Sequence, residues 1–477
     1  MSELCDLDAT ELRRLIGTGE VSPGEVLESC IARTETVDPA LNAMVATDYD
    51  RARVSASAAE AAVRNGEQLG PLHGLPVAIK DLQPTAGLRT TYGSLLHEND
   101  IPEADGRIVA AIRAAGGIVM GKTNTPEFGT GGNTTNQVYG ATGNPFNPEL
   151  TCAGSSGGSA VALAAGMAPL ASGSDFGGSL RTPAAFCGVV GFRPSPGLVP
   201  IESKDIGLSP FGVHGPMARN VADAALLLSA IVADDRRDPL SGPVDPRLNE
   251  PLQGADLSKL RLAVSEDLGA APVDDNIRGV FRDRMKTVAG LFGEAQDRDP
   301  DLGRIHECFE ILRGMEYVAG HGEQLNNHRD QLGPNVIDNT ERGLAFTVEE
   351  VAWAYQEQTE IYRRYQALFD DVDVLICPAA SVSPFPHAQL FVEEINGDAM
   401  PTYMRWLTLA YGLTMAIPVV AVIPCGVDHL GLPFGIQVAG PRGSDRHILE
   451  VAHAIETALA TEPDLKRPLP DMAKLQS

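Results

Sequence analysis

Hydrophobic and polar positions along this chain form two kinds of segment. Apolar residues spaced three and four positions apart predict amphipathic helices, whereas short apolar runs bounded by Gly and Pro predict buried strands. The helical pattern covers residues 48–65, 107–115, 158–166, 219–234 and 445–460, and the strand pattern covers residues 75–79, 117–121, 167–171, 372–377 and 418–424. Their alternation predicts an α/β fold with a mixed, mostly parallel sheet covered by helices on both faces.

Domain organisation follows from the same pattern. The 477 residues contain no internal repeat, low-complexity tract or evident linker, so we expect one domain over residues 1–477. Residues 1–70 are predicted to be helical, with a capping box at Ser22 and Glu25. We expect residues 71–230 to form the core that contains the candidate catalytic residues. Residues 235–370 are predicted to form a helical covering layer, and residues 371–460 to contribute strands to the sheet again.

Composition and charge narrow the range of functions. Hydrophobic residues make up 43% of the chain, with 49 Gly and 34 Pro, which is typical of a globular, loop-rich enzyme. The net charge of -26 would repel phosphate backbones and anionic lipid, so neither nucleic acid nor a membrane is an expected partner. Seven scattered cysteines without a C-x-x-C pair, no signal-like N-terminus and no long apolar run predict a reduced, cytoplasmic protein.

Lys80 closes the apolar run at residues 75–79 and is the first candidate for chemistry. A lysine at the end of a strand usually extends its ammonium group into water. If Lys80 were buried instead, its pKa would fall toward neutrality and its amine could act as a base.

Two segments rich in glycine and serine follow. The first, Gly-Ser-Ser-Gly-Gly-Ser at residues 154–159, leads directly into a helical stretch, where free N–H groups suit an anion or a developing oxyanion. The second, Gly-Ser-Asp-Phe-Gly-Gly-Ser-Leu-Arg-Thr-Pro-Ala at residues 173–184, has two glycines that allow a sharp turn before Ser179. Taken alone, the first segment is most often a linker or a tight turn, and the second is as typical of a polar turn before a helix as of a nucleophile segment.

Together, Lys80 and these segments resemble the amidase signature family, whose hallmarks are a lysine at a strand end, a Gly-Ser-Ser-Gly-Gly loop and a Gly-Gly-Ser-x-Arg-x-Pro-Ala segment. Ser155 and Ser179 are 24 residues apart, which is the family's usual spacing. Further matches lie at residues 121–128, 143–146, 187–192, 215–224 and 431–437, so the resemblance extends over most of the chain. Ser174 and Leu180 replace the Thr and Ile that are commoner in the family.

The resemblance implies hydrolysis of amide C–N bonds through an acyl-enzyme, without a cofactor or a metal. It implies that Ser179 is the nucleophile, that Lys80 is the base, and that Ser155, which follows a cis peptide bond in the family, passes the proton between them. A serine hydroxyl needs such a base within about 2.6–3.2 Å, or a relay to one.

The turn before the nucleophile has two further expected roles. N–H groups of Phe176, Gly177 and Gly178 would hold the oxyanion of the tetrahedral intermediate. Asp175 and Arg181 flank this turn, and we expect them to pair and support it.

Other catalytic arrangements have less support in the sequence. A Ser-His-Asp site could use His73, His97 or His214, but no Gly-x-Ser-x-Gly elbow occurs at a strand end. His306 and the glutamate after it lack the second histidine of an H-E-x-x-H motif, so no catalytic metal is expected.

Gly129 and Thr130 are the predicted substrate-binding residues, because the family segment before them often lines the acyl pocket. Small residues there would leave room for a bulky or aryl acyl group, although packing in the core is equally compatible with them. We therefore expect a small aliphatic or aryl amide as substrate, with ester or carbamate (urethane) hydrolysis as side activities.

Two alternatives stay open. The amidase subunit of a tRNA-dependent amidotransferase has similar motifs, but such subunits usually carry Met-Asp-Glu-Phe where this chain has Thr-Pro-Glu-Phe at residues 125–128. The second alternative is a catalytically silent scaffold of the same fold, and the presence of Lys80, Ser155 and Ser179 argues against it. Members of the family are often homodimers, but no sequence feature of this chain marks an interface.

Overall fold

The computed structural model describes residues 3–476, which form thirteen α-helices and seventeen strands. The helices are α1 (Ala9–Thr18), α2 (Pro23–Leu41), α3 (Tyr49–Arg64), α4 (Arg107–Ala114), α5 (Gly157–Ala164), α6 (Arg181–Cys187), α7 (Val221–Ile231), α8 (Asp275–Val288), α9 (Ile305–His328), α10 (Pro334–Ala345), α11 (Val348–Leu368), α12 (Thr408–Ala416) and α13 (Asp445–Leu459). The strands are β1 (Met44–Thr47), β2 (Pro76–Lys80), β3 (Ile118–Thr123), β4 (Thr135–Asn136), β5 (Gly140–Ala141), β6 (Gly143–Asn144), β7 (Asn147–Thr151), β8 (Leu170–Asp175), β9 (Val190–Arg193), β10 (Val213–Ala218), β11 (Arg261–Val264), β12 (Glu294–Asp297), β13 (Val374–Pro378), β14 (Glu394–Ile395), β15 (Asp398–Ala399), β16 (Val419–Val427) and β17 (Pro433–Gly440).

Eleven of these strands form one sheet in the order β1-β3-β2-β8-β10-β9-β16-β17-β13-β11-β12. The predicted mixed sheet and α/β fold are confirmed. The expected majority of parallel pairs is not found, because β2 pairs in parallel only with β3 and β8, and β11 only with β12 and β13. All other neighbours are antiparallel, and most of these pairs involve β9, β10 or β17, strands that the hydrophobic pattern did not predict.

Segment boundaries also differ in part from the expectation. The predicted helices and strands are present, with ends shifted by at most four residues, and the capping box of Ser22 and Glu25 starts α2. Residues 235–370 are more than a helical covering layer, because β11 and β12 lie within them and extend the sheet. Residues 1–70 likewise include the edge strand β1 as well as helices.

The core lies on both faces of the sheet. Val77 and Ile79 of β2 belong to one hydrophobic cluster and Ala78 to another, because alternate residues of a strand point to opposite faces. Every residue of α5 and α6 is buried. The seven cysteines are free and buried. In the part of the chain that the structure describes, none of the helices has the length and apolar character needed to cross a membrane.

The pairing of β2 with β8 brings the candidate catalytic segments together. The two strands are parallel, with Ala78 opposite Ala171, so Lys80 at the end of β2 lies beside the last residues of β8. Helix α5 starts close to the same end, since the backbone N–H of Gly158 donates to the carbonyl of Asn124 just after β3.

Candidate active site

Lys80 is fully buried and its amine lies among serine hydroxyls. Its Nζ is 2.7 Å from Oγ of Ser155, 2.9 Å from Oγ of Ser156 and 2.9 Å from Oγ of Ser174. Within residues 3–476, the amine forms no ion pair with a carboxylate. Lys80 therefore does not extend into water as strand-end lysines usually do.

This environment changes the acid–base behaviour of the lysine. Burial lowers the pKa of Lys80 to about 7, although the negative charge of Asp175 opposes the shift. The cause is that the charged form loses its hydration when it is buried, whereas the neutral form loses little. Near neutral pH a substantial fraction of Lys80 is thus a neutral amine, which can accept a proton from a hydroxyl in contact with it.

Ser155 lies in the loop that leads into α5. The peptide bond between Gly154 and Ser155 is cis, and Ser156 is the N-cap residue of α5. In the first turn of the helix, a Cβ atom on Gly158 would lie only 2.4 Å from the backbone nitrogen of Asn124. The small residues of this segment therefore allow the start of α5 to pack directly against the end of β3.

Ser179 follows the turn after β8 and lies in the wall of a cavity that also contains Ser155. The two loops are joined by the N–H of Ser156, which donates to the carbonyl of Ser179 at 3.2 Å. Asp175 fixes the turn, since its Oδ1 accepts from the N–H of Gly178 at 3.0 Å and its Oδ2 from the N–H of Leu180 at 3.1 Å. The structure thus brings Lys80, Ser155 and the Ser179 loop to one place.

The predicted role of Gly178 as an oxyanion donor is contradicted by the structure. Its N–H is already bound to the Asp175 carboxylate, so it is not available to a substrate. By contrast, the N–H groups of Phe176, Gly177 and Ser179 have no acceptor within residues 3–476, and all three residues line the cavity. The free donors of this turn are therefore at 176, 177 and 179.

Asp175 and Arg181 are in contact in a fully buried cluster. Two nitrogens of Arg181 lie 3.0 Å from the two carboxylate oxygens of Asp175, and Nη1 of Arg193 lies 3.0 Å from Oδ1. Burial alone would raise the pKa of Asp175, but the charges of Arg181 and Arg193 outweigh it and hold that pKa well below its usual range. Asp175 therefore stays ionised and keeps its bonds to the turn.

The cavity beside the two serines has a volume of about 240 Å³. Gly129 lies in its wall, with a φ of +72°, and a Cβ atom there would be 3.2 Å from Oγ of Ser155. Thr130 lies behind the wall instead: its Oγ1 is 2.7 Å from the hydroxyl of Tyr317, and it borders a neighbouring cavity. Aromatic side chains in the wall are those of Phe128, Phe176, His214, Tyr317 and His321.

Sequence reasoning missed several residues of the site. Ser156 and Ser174 lay within the recognised motifs, and only their contact with Lys80 distinguishes them from turn residues. Arg313 of α9 lines the cavity, but nothing in its local sequence marks it. Of the three candidate histidines, His214 lies in the cavity wall, and no described histidine is hydrogen-bonded to Ser179.

Comparisons with known proteins agree with this arrangement. The Amidase family model matches residues 25–449. An acylamidase from Rhodococcus erythropolis is 33% identical over 457 residues, which cover 94% of this chain and 95% of the relative. The A subunit of the glutamyl-tRNA(Gln) amidotransferase from Thermus thermophilus is 35% identical over 485 residues, which cover 97% and 99%. A crystal structure of a bacterial aryl acylamidase of the amidase signature enzymes superposes with a TM-score of 0.89 at 28% identity, over 95% of this chain and 96% of that one.

The fold and these relatives define an enzyme that hydrolyses amides. The chain belongs to the amidase signature family, as its motifs predicted.

Proposed function

We propose that this protein hydrolyses small aryl and aliphatic amides with Ser179 as the nucleophile, Ser155 as the proton relay and Lys80 as the base. The observation that carries the proposal is the burial of Lys80 among hydroxyls, with its Nζ 2.7 Å from Oγ of Ser155. A buried amine whose pKa is lowered to about 7 is a base that operates at neutral pH without a histidine or a metal.

The reaction begins when Oγ of Ser179 attacks the carbonyl carbon and its proton passes through Ser155 to Nζ of neutral Lys80. The oxyanion that forms accepts hydrogen bonds from free N–H groups of the turn, including those of Phe176 and Gly177. The proton then returns to the amine nitrogen as the C–N bond breaks, which leaves an ester on Ser179. Water, deprotonated by the same route, hydrolyses the ester and releases the carboxylic acid.

The shape of the cavity favours an aryl group on the substrate. Phe128 and His321 have ring centroids 4.7 Å apart, and Phe176 packs against Phe211 at 5.8 Å, so flat apolar surface is available in the wall. Gly129 leaves space next to Ser155, while Thr130 would act through the position of Tyr317. The acylamidase and aryl acylamidase relatives support the same substrate class.

The direct test is the initial hydrolysis rate on an anilide, an aliphatic amide, an aryl ester and an aryl carbamate. Ser179→Ala and the matched control Ser55→Ala, a half-buried serine of α3 outside the cavity, would be measured beside the wild type. We expect turnover of the anilide and the ester that disappears in Ser179→Ala and persists in Ser55→Ala. Turnover that survives in Ser179→Ala would overturn the assignment of the nucleophile.

A second candidate function comes from the relatives alone. The similarity to amidotransferase A subunits raises the alternative that the chain releases ammonia from glutamine within a larger complex. Turnover of an anilide by the purified chain favours the stand-alone enzyme, whereas glutamine hydrolysis that requires partner chains would favour the amidotransferase role. The expected homodimer stays a prediction, which a mass measurement in solution would test.

A further inference from the structure

A single arginine in the cavity wall has no acidic partner. Arg313 projects from α9, is only 5% exposed, and lines the same cavity as Ser155 and Ser179. Within the described part of the chain it takes part in no ion pair, unlike the buried Arg181, which is bound to Asp175. A buried guanidinium without a counter-ion is unfavourable unless another group supplies the negative charge.

The hydrogen bonds of Arg313 show which part of it is free. Its Nε donates to Oδ1 of Asn339 at 2.8 Å, and its Nη2 donates to the hydroxyls of Tyr317 and Tyr403, both at 2.9 Å. Nη1 has no acceptor among residues 3–476, and this nitrogen is not fully occluded by the protein. Nη1 is therefore the nitrogen of Arg313 that is available to a ligand in the cavity.

Aromatic rings fix the plane of this guanidinium. Its central carbon lies 4.6 Å from the ring centre of Tyr317, 5.4 Å from that of Phe176 and 5.8 Å from that of Phe309. Burial raises the pKa of Tyr317 to about 12, so its phenol is neutral and does not serve as the counter-ion. The rings hold Arg313 in one orientation, and Phe176 also belongs to the turn that carries Ser179.

None of the other charged side chains described in the cavity wall forms an ion pair with Arg313. Besides Asp175, which is bound to Arg181 and Arg193, the charged side chains of the wall are Arg313, Lys204, Asp205 and Glu316, two of each sign. No two of these four groups form an ion pair in the described chain, and the ammonium of Lys204 donates to the carbonyl of Ser209 at 3.3 Å. One oxygen of Glu316 is occluded and without a hydrogen-bond partner, and within the described chain this carboxylate forms no ion pair with Arg313, although its charge acts on the guanidinium from a distance.

We propose that Arg313 is a specificity-determining residue that binds a carboxylate on the substrate, so that the preferred amides carry a carboxylate on their acyl or amine part. The inference rests on the proposed amide hydrolysis and narrows it to anionic amides. An oxygen of a carboxylate can accept an N–H of Nη1 while a substrate ring packs beside Phe176. It would supply the direct carboxylate contact that no described side chain makes with Arg313.

Two pairs of anilides test the preference, each pair differing in charge but not in size. N-phenylsuccinamate is compared with N-phenyl-4-oxopentanamide for a carboxylate on the acyl part, and 4-acetamidobenzoate with 4-acetamidoacetophenone for a carboxylate on the amine part. We expect the carboxylate member of at least one pair to have the higher kcat/KM, by roughly tenfold to a hundredfold, the range for one hydrogen bond to a charged group. Equal or lower values for the carboxylate in both pairs would overturn the proposal.

Variants connect the preference to Arg313. In Arg313→Gln the ratio of the two kcat/KM values within the preferred pair should fall to about one, because glutamine lacks the charge. Arg313→Lys should retain part of the preference, and Arg342→Gln, which removes an exposed arginine of α10, should keep all of it. The ratio does not depend on how much of each variant is folded, and an unchanged ratio in Arg313→Gln would refute the role.

Binding to Ser179→Ala separates this inference from the proposed function. Calorimetry with the same four compounds measures recognition without turnover. A carboxylate preference in binding together with no hydrolysis by the wild type would remove the proposed function and retain the carboxylate site. Hydrolysis of the neutral members without any carboxylate preference would do the reverse.

Discussion

Replacing Arg181 by methionine should destabilise the protein far more than the same replacement at Arg342. Both arginines form a pair with an aspartate at 3.0 Å. Arg181 and Asp175 are completely buried, whereas the side chains of Arg342 and Asp338 are 48% and 43% exposed. The two variants therefore remove a pair of the same length from opposite environments.

The expected magnitudes follow from burial. In Arg181→Met, Asp175 keeps Arg193 but loses two charged hydrogen bonds, and the carbonyl of Ala410 loses a donor. Breaking a buried pair by removing one partner costs about 3–5 kcal/mol, because the remaining buried charge loses compensation that water cannot replace. Breaking an exposed pair costs about 0–1 kcal/mol, since water solvates both ends.

The assay is denaturant unfolding followed by circular dichroism, with both variants measured against the wild type. We expect the free energy of unfolding to fall by about 3–5 kcal/mol in Arg181→Met and by no more than about 1 kcal/mol in Arg342→Met. Equal losses in the two variants would refute the reasoning that Arg181 compensates the buried charge of Asp175.

Two further predictions concern catalysis. Below about pH 7, kcat/KM should fall about tenfold per pH unit, because protonated Lys80 cannot accept a proton. His214 does not titrate in this range, since burial lowers its pKa to about 3. A profile of kcat/KM that stays flat down to about pH 5 would contradict the role of Lys80 as the base. Gly129→Ala should reduce kcat/KM by roughly tenfold or more, because its Cβ would lie 2.9 Å from Cδ1 of Leu82 and 3.2 Å from Oγ of Ser155. Gly19→Ala is the matched control, since Gly19 has the same φ of +72° with no neighbour within 4 Å, and equal activity losses in the two variants would contradict the steric explanation.

The sequence predicted secondary structure correctly where a local run of apolar residues determines the helix or strand. The apolar run at residues 75–79 predicted the strand that ends at Lys80, and β2 is found one residue further along. Strands β10 and β17 were missed because glycine and proline interrupt Val-His-Gly-Pro-Met-Ala and Pro-Phe-Gly-Ile-Gln-Val-Ala-Gly. Their extended conformation depends on pairing with neighbouring strands, and this pairing cannot be predicted from a local pattern of hydrophobic residues.

In the candidate site, too, residues within local motifs were predicted, whereas residues that meet only in the folded chain were not. Motifs predicted Lys80, Ser155 and Ser179 as the candidate catalytic residues, because a glycine-rich turn and a helix start have a recognisable pattern in the sequence. Arg313 could not be found in this way, since its partners Asn339 and Tyr403 lie on other segments and meet it only in the folded chain. The oxyanion donors needed correction for a similar reason, as hydrogen bonds to Asp175 are a property of the folded turn.

Covalent labelling of the nucleophile is the most direct test of the proposed mechanism. The protein would be treated with an aryl carbamate, whose carbamoyl-enzyme hydrolyses slowly, and then examined by intact mass and peptide mapping. We predict one carbamoyl group per chain, located on Ser179, absent in Ser179→Ala and formed much more slowly in Lys80→Met. A carbamoyl group on another residue, or one that persists in Ser179→Ala, would contradict the mechanism.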